Sequence, residues 1–138
     1  MSVLGKALYT HISGQAAYST YLPGGMAPEV QAQQSVAPHA TYQGLDRARE
    51  KLLDGSISIS TERIEISLTA ATRSAPASSA AWVAARIKAI SPRSVIDGVT
   101  IHSLTIEDQQ DVMEVYGDAG TAPARVTVIE VTGTYEET

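Results

Sequence analysis

Residues 56–70, SISISTERIEISLTA, alternate apolar and polar side chains for most of their length, which is the signature of a β-strand. The apolar residues do not keep one parity. Ile57 and Ile59 sit on odd positions, Ile64, Ile66 and Leu68 on even ones, and the change falls across Thr61-Glu62-Arg63. Side chains along a strand alternate between faces, so such a change moves the apolar set to the other face. Two later segments do the same. Val99 and Ile101 share a parity that Leu104 and Ile106 abandon, and Val126 and Val128 share one that Ile129, Val131 and Tyr135 abandon. Two readings stand side by side. A β-bulge in each strand would insert one residue and return the apolar set to the same face. Without bulges, each strand faces its own core along one part and a neighbouring subunit along the other, because a soluble monomer rarely exposes a large apolar patch.

The remaining segments fall around these strands. Leu4, Leu8 and Ile12 recur every four residues behind Ser2, a capping residue, and predict a helix from Val3 to Tyr18, stopped by Pro23-Gly24-Gly25. Residues 21–44 are rich in turn formers and glutamine and form a connection. Within it, Glu29 to Gln33 can extend, and Val36 to Tyr42 alternate as a short strand led by Pro38. GLDRAREKLLDG, residues 44–55, has two readings: a solvated loop with one helical turn capped by Asp46, or an arm that docks on a neighbouring copy through Leu45, Leu52 and Leu53. SAPASSAAWVAARIKAIS is the clearest helix, with Pro76 in its first turn, a stripe of Val83, Ile87 and Ile90, Trp82 as a flanking anchor and Pro92 as its stop. Residues 117–123, GDAGTAP, join the last two strands. The order helix, strand, strand, helix, strand, strand predicts one α+β domain over residues 1–138. Its expected architecture is an antiparallel four-stranded sheet with two helices packed on one face.

Composition narrows the function. There is no cysteine, which removes disulfides and thiolate chemistry. No run approaches a membrane span, and the start lacks a secretory apolar core, so a soluble, cytoplasmically made protein is expected. The net charge of −5 argues against general nucleic-acid binding, which draws its affinity from Lys and Arg at phosphates. With 43% hydrophobic and only 18% charged residues, and much Thr, Ser and Val, the chain suits β surface that is covered rather than bathed in solvent.

No catalytic arrangement stands out. A phosphate-cradling glycine loop and a nucleophile elbow are both missing from the sequence. His11, His39 and His102 lack metal-ligand spacing, and His11 beside the helical stripe reads as a hydrogen-bonded, part-buried residue. Glu107, Asp108 and Asp111 in EDQQD are too sparse for a calcium loop and read as a solvated turn or strand edge. No catalytic, cofactor-binding or metal-ligating residue is nominated.

Taken in order, these segments resemble the tail-completion, or tail-terminator, family of long-tailed bacteriophages. The resemblance is carried by LGKALYTHISGQAAYSTYLPGG as an opening helix with a glycine stop, and by APHATYQG as a proline-led strand. RIEISLTAATRSAPASSAAWVAARIKAI then resembles that family's strand running into an alanine-rich helix, and RVTVIEVTGTYEE its final strand. The resemblance implies a structural virion protein of the tail and neck, assembled in the host cytoplasm. It implies a homohexameric ring that caps the tail tube, ends tube polymerisation and joins the tail to the head-completion or stopper protein. Genome DNA would pass through the lumen without specific binding. No cofactor and no membrane are implied. The candidate oligomer-interface residues are Leu45, Leu52, Leu53, Ile57, Ile59, Val126 and Val128. The alternatives are a neighbouring stopper or other neck ring and, in another class, a small ligand-binding or enzymatic α+β domain.

Overall fold

Among the described residues six strands, not four, build the sheet, and they form a mixed rather than an antiparallel one. The computed structural model describes residues 2–28, 39–51, 58–70, 76–115 and 124–137. Its elements are α1 (Val3–Ser13), α2 (Tyr18–Tyr21), β1 (Met26–Pro28), β2 (His39–Lys51), β3 (Ser58–Ala70), α3 (Pro76–Lys88), β4 (Ser94–Ile96), β5 (Val99–Val115) and β6 (Ala124–Glu137). The strand order is β1-β2-β3-β6-β5-β4, and the sheet curls into a half-barrel. The expected four-stranded antiparallel sheet with two packed helices is therefore corrected on both counts: two short edge strands are added, and a third helix, α2, is present.

Each addition has a local cause. Gly25, at φ 79°, turns the chain after α2, and its carbonyl accepts from Ala40 N at 2.9 Å, which lays β1 parallel to β2. At the opposite edge, Asp97 and Gly98 both have positive φ, 54° and 76°. Two such residues between paired Ile96 and Val99 form a tight hairpin turn of the kind that Asp-Gly favours, and so β4 returns along β5.

The first helix is also shorter than its stripe suggested. Ser2 caps α1 by accepting from Gly5 N at 2.8 Å. The helix ends at Ser13-Gly14, and the chain turns so that Leu22 and Met26 reach the core. The charged segment after Gly44 is not a helical turn. It continues β2 to Lys51, paired with β3 throughout, with one bulge at Leu45 between Gly44 and Asp46. The antiparallel ladder with β3 satisfies this backbone, and Asp46 caps nothing.

The interior brings together Leu4, Leu8 and Ile12 of α1, Val83 and Ile87 of α3, and Ile64, Ile66, Leu68, Ile101, Ile129, Val131 and Tyr135 of the sheet, all buried. Ile90 lies at the rim of this cluster, partly buried. Trp82 stacks on Tyr21 with ring centroids 5.1 Å apart and planes 8° apart, clamping α2 against α3. Among the described residues no helix is long and apolar enough to cross a membrane.

Candidate functional site

The parity changes resolve differently in different strands. β3 pairs with β6 without a register shift from Ile59 to Ala70. Buried residues on β3 therefore stay on even positions: Ser60, Glu62, Ile64, Ile66 and Leu68. Those on β6 stay on odd positions, including Thr127, Ile129, Val131 and Tyr135. Ile59, Val126 and Val128 consequently lie on the opposite, outer face, where each is half-buried. The described members of the two apolar sets of these strands do occupy opposite faces. In β5 the change is a bulge: the register shifts between Ile101 and Ser103, so Leu104 and Ile106 pack on the same core as Val99 and Ile101.

Of the candidate interface residues, Leu45 sits in the β2 bulge and is 38% exposed. Ile59, Val126 and Val128 are on the outer face, and Leu52, Leu53 and Ile57 lie outside the described residues. Cross-strand registers give the rest of the outer face. Thr61, Thr134 and Ser103 form a row of hydroxyls, with Thr61 Oγ1 3.4 Å from Thr134 Oγ1. Glu65, Glu130 and Asp108 form a row of acids four residues further along β3 and β6. Between them Arg63 bridges Asp46 at 3.1 Å and Glu130 at 3.0 Å. Among the described residues this face is polar with an apolar end at Val126 and Val128.

Sequence reasoning missed a buried polar cluster on the inner face. Glu62 is 3% exposed. Its Oε2 accepts from Ser2 Oγ at 2.5 Å, and its Oε1 accepts from Leu4 N and from Tyr135 Oη, each at 3.1 Å. A carboxylate at the amino end of α1 meets both the unsatisfied amides and the positive end of the helix dipole. Burial, then the charge of Glu62 and its hydrogen bond, push the Tyr135 phenol up to about 12, against a smaller opposing effect from Arg47. The Arg47 guanidinium lies 5.8 Å from the centre of the Tyr135 ring. The sequence signal for this cluster was the even parity itself: Ser60 and Glu62 continue the inner row beyond Ile64. Beside the cluster, Glu62, Tyr42 and the β2 bulge line an open cleft of about 430 Å³.

The histidines are dispersed. His11 Nε2 is 3.2 Å from the Arg86 carbonyl, the part-buried hydrogen-bonded setting expected of it. His102 is the bulge residue of β5, and its Nε2 lies 3.2 Å from Glu136 Oε2. His39 opens β2, where burial lowers its pKa. Among the described residues no three His, Asp or Glu converge as a metal site. Glu107 and Asp108 are exposed on β5, and the Asp111 side chain is outside the description.

No protein-family model matches the chain. No curated protein matches it either. Among solved structures, a chain from the virion of a native gene transfer agent particle shares the fold, with a TM-score of 0.58 and 14% identity over 96% of this chain and 94% of that one. At that identity the likeness is one of fold, and it does not single out a tail terminator.

Proposed function

We propose that this chain is a structural virion protein that forms a homohexameric ring on the end of a tail tube, ends tube polymerisation and joins the tail to the stopper protein of the neck. The observation that carries the reading is the fold shared along nearly the full length of both chains with a virion component. The family resemblance of the sequence supplies the finer role. The protein acts by assembly and not by catalysis, its place is the tail and neck of the particle, and it is assembled in the host cytoplasm.

The outer face supports a DNA conduit. It carries hydroxyls and carboxylates, and its one described arginine in the central rows, Arg63, is already held by two acids. Such a surface offers DNA little counterion release, so a duplex can pass without being held. Six copies of a chain with net charge −5 carry a formal charge of about −30, which acts in the same direction.

Electron microscopy of tails assembled with and without the chain tests the role. The expected result is a ring at the head-proximal end of the tube, and overlong tubes of irregular length that join no heads when the chain is missing. Tubes of normal length without it remove the capping role. A ring located one level nearer the head makes it the stopper.

A further inference from the structure

The sheet has two long edges that its own short strands leave open. Among the described residues, β1 pairs only with Ala40, Thr41 and Tyr42 of β2, so β2 from Gln43 to Lys51 is laddered on one side alone. At the far side, again among the described residues, β4 pairs only with Val99, Thr100 and Ile101, so β5 from His102 to Val115 is laddered on one side alone. Unpaired strand edges are templates for another strand, and proteins commonly guard them with charge.

The charges on these two edges are opposite. The β2 edge holds Arg47, Arg49 and Lys51 against Asp46 and Glu50, and Asp46 is bound to Arg63. The β5 edge holds Glu107, Asp108, Asp111 and Glu114 and no lysine or arginine. Two β5 edges repel one another, and two β2 edges each bring more cations than acids, with Asp46 already bound to Arg63. A β2 edge beside a β5 edge is the combination that charge favours, and the like-charged pairings are disfavoured.

Strand direction agrees. β2 is antiparallel to β3, β3 to β6 and β6 to β5, so β2 and β5 run in opposite directions. Rotation about an axis along the strands preserves the direction of each. The β2 edge of one copy would therefore meet the β5 edge of the next as an antiparallel pair. Leu45, 38% exposed in the bulge of the open edge, lies within that seam.

We infer that a second copy of this chain docks edge to edge, its β5 edge against the β2 edge of the first, with basic and acidic residues fixing the head-to-tail order. The inference rests on the ring reading above, since a contact between two different surfaces propagates and makes a ring when its rotation closes. The charges determine which edges meet, and the backbone ladder supplies most of the adhesion.

Charge reversal on the purified full chain tests it. R49E with K51E reverses the β2 edge, and E107K, D108K and D111K together reverse the β5 edge. Sedimentation velocity over a concentration series, up to the solubility limit, reads association, and circular dichroism checks that each variant keeps its strand content. Each charge-reversed variant alone should associate at least about tenfold more weakly than the parent. An equal mixture of the two should regain assembly as alternating rings, because each reversed edge then faces an opposite charge. A parent that forms rings indifferent to both reversals overturns the edge pairing and leaves the ring reading standing. A parent that stays monomeric throughout overturns the edge pairing, and the tail microscopy then decides the ring reading separately. Charge-reversed variants that assemble alone as well as in mixture also overturn it.

Discussion

β3 and β5 flank the same strand, β6, and treat an identical sequence signal in opposite ways. Each shows apolar residues changing parity midway. β3 keeps an unbroken register with β6, so its change is a true change of face: Ile59 looks outward, while Ser60 and Glu62 take the inner positions. β5 has 17 residues where β6 has 14, and its three register shifts, at His102, Glu107 and Val112, absorb the difference. Its change of parity is a bulge, and Leu104 and Ile106 return to the core. The comparison teaches that parity alone does not report a second buried surface. A polar residue that continues the inner row, as Glu62 does, marks a true change of face. A surplus residue relative to the partner strand marks a bulge.

Deleting His102 strikes this contrast hardest. Without the surplus residue, either Val99 and Ile101 or Leu104 and Ile106 must leave the core. Chemical denaturation should show a loss of about 3 kcal/mol or more, from two apolar side chains returned to water. A loss below about 1 kcal/mol would mean that the bulge is ornamental and that β5 does not differ from β3 in the way described.

Replacing Glu62 with Ala tests the β3 side. It strands the Ser2 hydroxyl, the Leu4 amide and the Tyr135 hydroxyl, all bonded to that carboxylate. A cost of about 2–3 kcal/mol is expected in the same assay. Stability equal to the parent would show that Glu62 is not an inner-row residue.

Tyr135→Phe is a smaller change, about 1 kcal/mol at neutral pH, since one donor to Glu62 is lost. It also has a signature in alkali. With the folded phenol raised to about 12 from an ordinary 10.0, the unfolded chain loses this proton first. The contribution is therefore whole below about pH 10 and declines as pH rises toward 12. The phenylalanine variant should lose stability less steeply across that window. Some slope remains in either protein, because burial also raises Tyr18 and Tyr42. Equal slopes in the two proteins would separate Tyr135 from Glu62.

The smallest effect belongs to the outer face. Val128→Thr should change monomer stability by no more than about 0.5 kcal/mol, because Val128 faces away from the helices. A cost near that of an interior Val would place Val128 inside and cancel the assignment of faces.

Much of this arrangement was legible in the residues. The α1 stripe, the bounds of α3 between Pro76 and Pro92, and the core membership of Leu4, Leu8, Ile12, Val83 and Ile87 follow from helical spacing. The edge strands were not legible. β1 and β4 have three residues each, too few to show a period, and β1 is paired through a glycine carbonyl rather than by any side-chain pattern. The charged half of β2 read as a solvated segment because an edge strand needs no apolar face when one neighbour satisfies its backbone. The Glu62 cluster was missed because a lone acid between two arrays of isoleucine looks like a break in the pattern. Only the partners at Ser2 and Tyr135, far away in sequence, give it a place inside.

That distance has a kinetic consequence. The hydrogen bonds of Glu62 join residues separated by 60 and 73 positions, one near the start of the chain and the other on β6. β6 is the last strand in sequence and yet stands in the middle of the sheet, between β3 and β5. On the ribosome, the earlier strands must wait with their inner neighbour missing, and α1 waits for part of the anchor at its amino end. Folding of such a chain is governed by loop closure over long separations and belongs to the slow class. A copy competent to join others is therefore complete only after its own middle has been filled by β6.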